Sequence, residues 1–378
     1  MKIHKAYKTE LKPNNVQRTF FWRCVGASRY IYNWGLAEWK RQYEAGEKPS
    51  RFGLSVQFNA LKDELCPWVR ELPYDITRSS FENLGNAFIN FFRRIKNHED
   101  KAGYPKFKKR GISNSFQIRA TKVFNDAVKL TNIGVINIKQ KGYIPITADK
   151  YGYYATISEK AGHWFISVLV EEEIPDPLPR TGDPLGIDVG IKSLAVFSDG
   201  VVYDNPKSLY AGERKLKQLQ RELSRRTKGG SNYKKTKLKI ARCHKRIGDI
   251  RSHTLHQISY DATNGRNNPV IVIENLNVKG MMRNHHLAKA VADASMSELL
   301  RKITYKAGWN GVEIYQADRW YASSKTCSNC GSVRSILTLA ERIYRCPDCG
   351  FEMDRDLNAA INLAALMKAE TQPDCLGS

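Results

Sequence analysis

"LGIDVGIKSLAVFSDG", residues 185–200, opens with apolar residues on both faces, the pattern of a strand buried inside a sheet. Asp188 interrupts it, with Gly186 and Gly190 two residues away on either side. Side chains alternate along a strand, so these three share a face, and the glycines leave space around the carboxylate. That space is expected to admit a metal ion and a phosphate.

Two other stretches repeat the acid. "PVIVIENL" (269–276) is apolar on both faces and carries Glu274 near its end. "MDRDLNAAINLA" (353–364) opens a helix with Asp354 and Asp356, where an acid can cap the helix or present a carboxylate at a sheet edge. Taken singly, Asp188 and Glu274 read as solvated strand-end acids and Asp356 as a cap. Taken together, all three fall at strand ends or a helix start of one predicted sheet. A carboxylate triad holding two divalent ions about 4 Å apart is the standard apparatus for in-line phosphodiester hydrolysis. Asp188, Glu274 and Asp356 are therefore the candidate catalytic and metal-binding residues, with two Mg²⁺ expected and Mn²⁺ as an alternative. No phosphate-cradling G-x-x-x-x-G-K-[ST] loop or G-x-G-x-x-G fingerprint occurs.

The rest of the chain divides by pattern. Residues 1–12 alternate as a strand, and helices are predicted over 14–46, 54–65 and 76–97. The loop "AGEKPSRFG" (45–53) separates the first two. A basic loop, "GYPKFKKRG" (103–111), precedes a β-rich segment, 115–172, read as a small antiparallel barrel or sheet. Four prolines in "EIPDPLPRTGDP" (173–184) mark a linker. Beyond it come strands over 185–204, a basic helical pair over about 209–262, a strand at 269–276, a helix over about 288–308, a strand at 311–318 and a helix from about 356. Adjacent strands followed by alternating helices and strands is the order of an RNase H-like fold, so the expected class is α/β and β, multi-domain.

"CSNCGSVRSILTLAERIYRCPDCG" (327–350) contains two C-x2-C turns separated by fifteen residues. Each turn points two thiolates at one ion, and Cys327, Cys330, Cys346 and Cys349 together make a tetrahedral structural site. Gly331 and Gly350 follow the pairs, where positive φ helps the turns close. One Zn²⁺ is expected, with iron as the alternative metal and two disulfides as the alternative chemistry. Cys24, Cys66, Cys243 and Cys375 are scattered and read as ordinary thiols.

Sixty-one Lys and Arg oppose 38 Asp and Glu, a formal charge of +23, which points to a nucleic-acid partner. No apolar run approaches the ~18 residues of a membrane span, and "MKIHKAYKTE" has no apolar signal core, so an intracellular protein without a membrane partner is expected. Residues 213–256 hold fifteen Lys and Arg against three acids, and Gly229-Gly230 suggests a turn between two helices. Arg225, Arg226, Lys234 and Lys235 there, and Lys106, Lys108, Lys109 and Arg110 in the basic loop, are candidate nucleic-acid contacts. Solvated surface is the plainer reading of both. Tyr104 and Phe107 are candidates to stack on bases. Trp22, Tyr30, Tyr32, Trp34 and Trp39 read as helix core rather than a nucleotide platform.

"GIDVGIKSLAV", "VIENL", "SSKTCSNCG…YRCPDCG" and "DRDLNAAINL" resemble the motifs of the TnpB family. These are insertion-sequence-encoded, RNA-guided DNA nucleases related to the type V CRISPR effectors. The likeness extends to "LKPNNVQ…GASRYIYNWGL", "YPKFKKR" and "SRRTKGGSNYKKTKLKIARCHKRI", in the family's order. It implies a RuvC nuclease domain (181–322 and 353–378) with a zinc ribbon inserted at 323–352. It also implies a split β-barrel wedge domain (1–12 and 112–180) carrying a helical recognition domain (13–111). The implied partners are a guide RNA from the transposon end, one per protein, and target double-stranded DNA. The implied setting is the cytoplasm of a bacterium or archaeon, at the nucleoid. The helical pair then reads as a backbone-binding wall for a guide–target heteroduplex. Arg78, Ser79 and Gln117 lie in regions corresponding to those that read the target-adjacent motif. A guide-independent RuvC-like transposase or resolvase needs the same triad, and a guided repressor would lack it.

Overall fold

The structure, a computed structural model, describes residues 1–99, 102–146, 153–338 and 340–371. The scattered Cys375, the start of "YGYYATISEK" and the tail of the segment 353–378 lie outside the described residues. The chain forms two compact units, Lys2–Ile174 and the segment from Pro175 onward, dividing inside the proline-rich linker.

The first unit opens with β1 (Lys2–Lys12), followed by α1 (Asn15–Glu44), α2 (Arg51–Leu65) and α3 (Tyr74–Lys96). Five strands complete it: β2 (Ser115–Val123), β3 (Ala127–Leu130), β4 (Gly134–Ile138), β5 (Tyr153–Lys160) and β6 (His163–Glu173). These six strands close into a barrel in the order β1-β4-β3-β2-β5-β6. The first strand thus pairs with the last, Lys2 opposite Glu173 through Leu11 opposite Trp164, across the three helices between them in sequence. Asn14 and Gln17 form a reciprocal capping box at the start of α1. Ser50 starts α2 by accepting the Gly53 amide at 3.0 Å, so Gly53 lies inside the helix rather than in the expected loop. Of the aromatic residues of α1 expected in the core, Tyr32 is buried, Trp34 packs edge-on to Phe58 and Phe81, and Trp39 stacks on Phe88 at 3.9 Å, whereas Trp22 and Tyr30 are exposed.

The second unit is built on a five-stranded sheet ordered β11-β10-β7-β8-β9. Its strands are β7 (Leu185–Asp188), β8 (Ser193–Phe197), β9 (Val202–Asp204), β10 (Val270–Ile273) and β11 (Glu313–Gln316). β7, β8 and β9 are antiparallel neighbours, while β10 and β11 run parallel to β7. Between β9 and β10 lie α4 (Ser208–Ser224) and α5 (Ser231–Asn264); between β10 and β11 lie α6 (Val278–Met281), α7 (His285–Ala294) and α8 (Met296–Trp309). A small hairpin, β12 (Ile343–Arg345) and β13 (Glu352–Asp354), leads into α9 (Arg355–Thr371). Leu185, Ile187, Ile271 and Ile273 pack on one side against Leu255 and Ile258 of α5 and Leu299 and Ile303 of α8. Val270 and Val272 pack on the other side with Leu363 of α9. Both faces are covered, which is why the strands read as unbroken apolar runs.

The helix predicted over 288–308 is two helices. Ser295 takes a left-handed φ of 54° and bonds its amide to the Val291 carbonyl, ending α7, while its own carbonyl starts α8. No glycine or proline marks that break. Among the described residues no helix is long and apolar enough to cross a membrane.

Candidate active site and metal centre

Strand register brings two of the acids together. Val272 lies opposite Gly186 and Ile273 opposite Ile187, so Glu274, the next residue, stands beside Asp188 on the neighbouring parallel strand. Such strands lie about 4.8 Å apart, and registered residues point to the same side. That side is covered by α9. Gly186 faces Ala360, and Asp188 lies two residues further along the strand, about 6.6 Å. Asp356 lies one turn back along the helix, about 6 Å. Sheet and helix therefore converge on Asp188, Glu274 and Asp356 at the carboxyl edge of β7 and β10.

The electrostatics agree. The Asp188 carboxyl is held well above the usual carboxylate range, first by burial, then by the charges of Glu274 and Asp356. Asp354, the other acid of the pair, caps α9: its Oδ1 accepts the amides of Asp356 at 2.9 Å and Leu357 at 3.1 Å. The cap reading thus belongs to Asp354, and Asp356 is left to face the sheet. Half-buried carboxylates are hard-oxygen donors of the kind that suits a divalent cation such as Mg²⁺. Ser323, itself buried, donates its hydroxyl to Glu274 Oε1 at 2.5 Å, fixing one carboxylate oxygen. Its loop is clasped by α9: Asn362 donates to the carbonyls of Ser323 and Thr326, and Asn358 to that of Thr326.

The glycines do a different job from the one expected. A methyl group at Gly186 would sit 1.9 Å from the Ala360 carbonyl oxygen and 2.7 Å from the Ala364 nitrogen. One at Gly190 would meet the Ser193 carbonyl at 2.8 Å. Gly186 lets α9 lie against β7, and Gly190 closes the β7–β8 turn. Neither clears room for a ligand.

The four cysteines converge. Cys327 and Cys349 sulfurs lie 3.7 Å apart, Cys330 and Cys346 3.6 Å, and all four fall within 4.8 Å of one another. Zn–S bonds of about 2.3 Å in a tetrahedron put sulfurs about 3.8 Å apart, so the set fits one zinc ion. The Gly331 amide bonds the Cys327 carbonyl and the Gly350 amide that of Cys346, with φ of 77° and 73° as the spacing predicts. Amide hydrogen bonding from Phe351, then the Asn329 side chain, pulls the Cys349 thiol down to about 6, favouring thiolate. Buried Tyr344 donates to the Lys325 carbonyl beneath the cluster. Purified protein is expected to carry one zinc per chain by elemental analysis. Cys346→Ser is expected to drop that below half and lower Tm, because the thiolates then stay unscreened.

The candidate nucleic-acid residues separate into free and engaged groups. Arg225, Arg226, Lys234 and Lys235 are exposed around the α4–α5 turn, with Arg226 paired to Glu222 at 3.2 Å. Arg214, Lys217, Arg221, Arg225 and Arg226 line a concavity of about 840 Å³ along α4. Lys106, Lys109 and Arg110 are exposed. Lys108 is taken up by α1: its amide and carbonyl bond the Asn33 side chain, and its ammonium lies 4.2 Å from the Tyr32 ring. Burial pushes its pKa down. It anchors the loop instead of presenting charge, and Tyr104 does likewise by packing on Phe88 and Phe91. Arg78 and Gln117 share a groove of about 510 Å³ with Glu82, Asn83, Asn86, Tyr154 and Thr156, which sequence reasoning missed. The spacing 78, 82, 86 on one helix face was the available signal. Ser79 is buried and bonds the Ile76 carbonyl, so it does not reach that groove's surface.

The chain resembles known proteins along nearly its whole length. Residues 165–285 match the family model described as "Probable transposase" of the OrfB/IS605 type, and residues 297–363 match the TNB domain of Cas12f1-like proteins. Residues 1–48 match the helix-turn-helix domain of the same OrfB/IS605 group, although here they form β1 and the long α1. A protein of Streptomyces pristinaespiralis named "Putative RNA-guided DNA endonuclease" is 34% identical over 96% of this chain and 89% of its own. InsQ of Escherichia coli K12, named likewise, is 29% identical over 97% and 92%. The mini-RNA-guided endonuclease CRISPR-Cas_phi3 shares the fold at a TM-score of 0.51 and 9% identity, covering 98% of this chain and 93% of its own. With a relative above 30% identity along nearly its whole length, this chain belongs to the TnpB family of insertion-sequence-encoded proteins.

Proposed function

We propose that the protein is an RNA-guided DNA endonuclease whose nuclease centre is Asp188, Glu274 and Asp356. The observation that carries the reading is the register of β7 and β10 against α9, which gathers three acids separated by more than 160 residues onto one sheet edge. An RNase H-like (RuvC) domain spans 181–322 and 353–378, and its support is the sheet with three antiparallel strands and two parallel ones. The barrel of β1 with β2–β6 supports a split wedge domain (1–12 and 112–180) around a helical recognition domain (13–111), with a zinc ribbon at 323–352.

Asp188, Glu274 and Asp356 would hold two Mg²⁺ ions. When bound, such ions supply Lewis acidity and water activation for in-line phosphodiester hydrolysis. Glu274, fixed by Ser323, offers its second oxygen in a set orientation, and Asp356 is freed for the task because Asp354 caps the helix. The zinc site is structural, since four thiolates leave no open position. The basic α4–α5 hairpin faces the heteroduplex backbone, and the Arg78–Gln117 groove reads the flanking duplex. The partners are one guide RNA and the target DNA.

Protein purified from its host is expected to carry one discrete, tightly held transcript, read by sequencing the bound RNA. A random mixture of host RNA would count against guidance and favour a guide-independent transposase. Ser323→Ala is expected to raise the Mg²⁺ concentration for half-maximal cleavage about tenfold, with zinc content unchanged. An unaltered Mg²⁺ titration would show that the serine does not orient Glu274.

A further inference from the structure

We propose that Trp320 is a stacking platform for unpaired bases of the DNA strand, set beside the carboxylate centre. The proposal rests on the nuclease reading for its purpose, but not for its test. Trp320 is 83% exposed, an unusual state for the largest apolar side chain. Its position follows from the sheet. The Ala317 amide bonds the Ile273 carbonyl at 2.9 Å, so Ala317 lies opposite Glu274 at the end of β11. The chain then turns off the sheet edge, and three residues after Trp320 it reaches Ser323, whose hydroxyl holds Glu274. Three residues span at most about 11 Å, so the Trp320 backbone lies within that reach of the serine that holds Glu274.

The turn that carries the ring is held by three hydrogen bonds. The Trp320 amide donates to Asp318 Oδ1 at 2.7 Å, and the Tyr321 amide to the Asp318 carbonyl at 3.1 Å. The Tyr321 hydroxyl donates to the Asn362 carbonyl of α9 at 3.1 Å. A fixed backbone lowers the ordering cost of binding on an exposed ring. Exposed Arg319 places its guanidinium 5.5 Å from the indole centroid, adding a cation for the phosphate beside a stacked base. A π-face with an adjoining guanidinium matches single-stranded nucleic acid. Paired bases inside a duplex hide their faces from it.

The test uses the full chain, a short oligothymidylate and a duplex of equal length, at a salt concentration that weakens backbone attraction. Trp320→Ala is expected to lower single-strand affinity about 5- to 150-fold and leave duplex affinity unchanged. Trp320→Phe should keep most of the binding. The oligonucleotide should quench tryptophan fluorescence in the wild type by a component that is missing from the alanine variant. Equal single-strand affinity in wild type and Trp320→Ala, or equal losses for both probes, would overturn the proposal. So would loss of a protein partner from Trp320→Ala with oligonucleotide binding intact, which would mark the ring as a protein contact. Because binding is read without guide or cleavage, the outcomes separate. A chain that grips the oligonucleotide through Trp320 yet never cuts DNA sinks only the nuclease reading. A cutting complex indifferent to Trp320→Ala sinks only the platform.

Discussion

Gly186→Ala is expected to destabilise the second unit by about 3 kcal/mol and to remove most cleavage, an outsized effect for one methyl group. Overpacking usually costs about 1–3 kcal/mol, and neighbouring side chains relieve it by changing rotamer. Here the obstacles are backbone atoms, the Ala360 carbonyl at 1.9 Å and the Ala364 nitrogen at 2.7 Å. They move only if α9 moves. The helix also carries Asp356 and the two asparagines that clasp the Ser323 loop. Withdrawing it therefore separates the carboxylates and loosens Glu274 at once. Thermal unfolding and cleavage should fall together. A Gly186→Ala protein with wild-type Tm and activity would mean that α9 does not pack on β7 this closely.

Asp188→Asn is expected to do the opposite to stability while abolishing cleavage. The carboxyl of Asp188 is raised by burial, Glu274 and Asp356. A folded-state pKa above the unfolded one means that the native state prefers the protonated acid. The metal-free protein is then relatively most stable below the unfolded value near 4 and loses that advantage as pH rises through the elevated folded value. Asparagine removes the charge, so in EDTA at neutral pH the variant should unfold at higher temperature than wild type. The gap should close in acid. Mg²⁺ should raise the Tm of the wild type and barely move that of the variant. Each ion supplies several kcal/mol of transition-state stabilisation, and about 4 kcal/mol is a 10³-fold loss in cleavage rate, with RNA binding retained. A variant that responds to Mg²⁺ like wild type would remove Asp188 from the metal site.

Much of this was legible because strands buried on both faces announce themselves, and acids at their ends stand out. The order of strands and helices pointed to the sheet, and the twin C-x2-C turns to the thiol cluster. What stayed hidden depended on contacts distant in sequence. Gly186 is small because of Ala360, 174 residues later, and no local pattern distinguishes that reason from ligand clearance. Both Asp354 and Asp356 were plausible caps, and only the amides they reach tell them apart. Lys108 looks like its basic neighbours until Asn33 and Tyr32 are seen to hold it. Ser323 has no sequence mark of its own beside Ser324, and the α7–α8 break has no glycine or proline to signal it.

The central claim is met most directly by one cleavage assay. Protein freed of RNA is reassembled with its sequenced transcript and given a plasmid bearing the matching target behind a randomised flank. Linear product that requires the transcript, the match and Mg²⁺ is the predicted result. Cutting that persists without the transcript, or an intact plasmid with every component present, would contradict it.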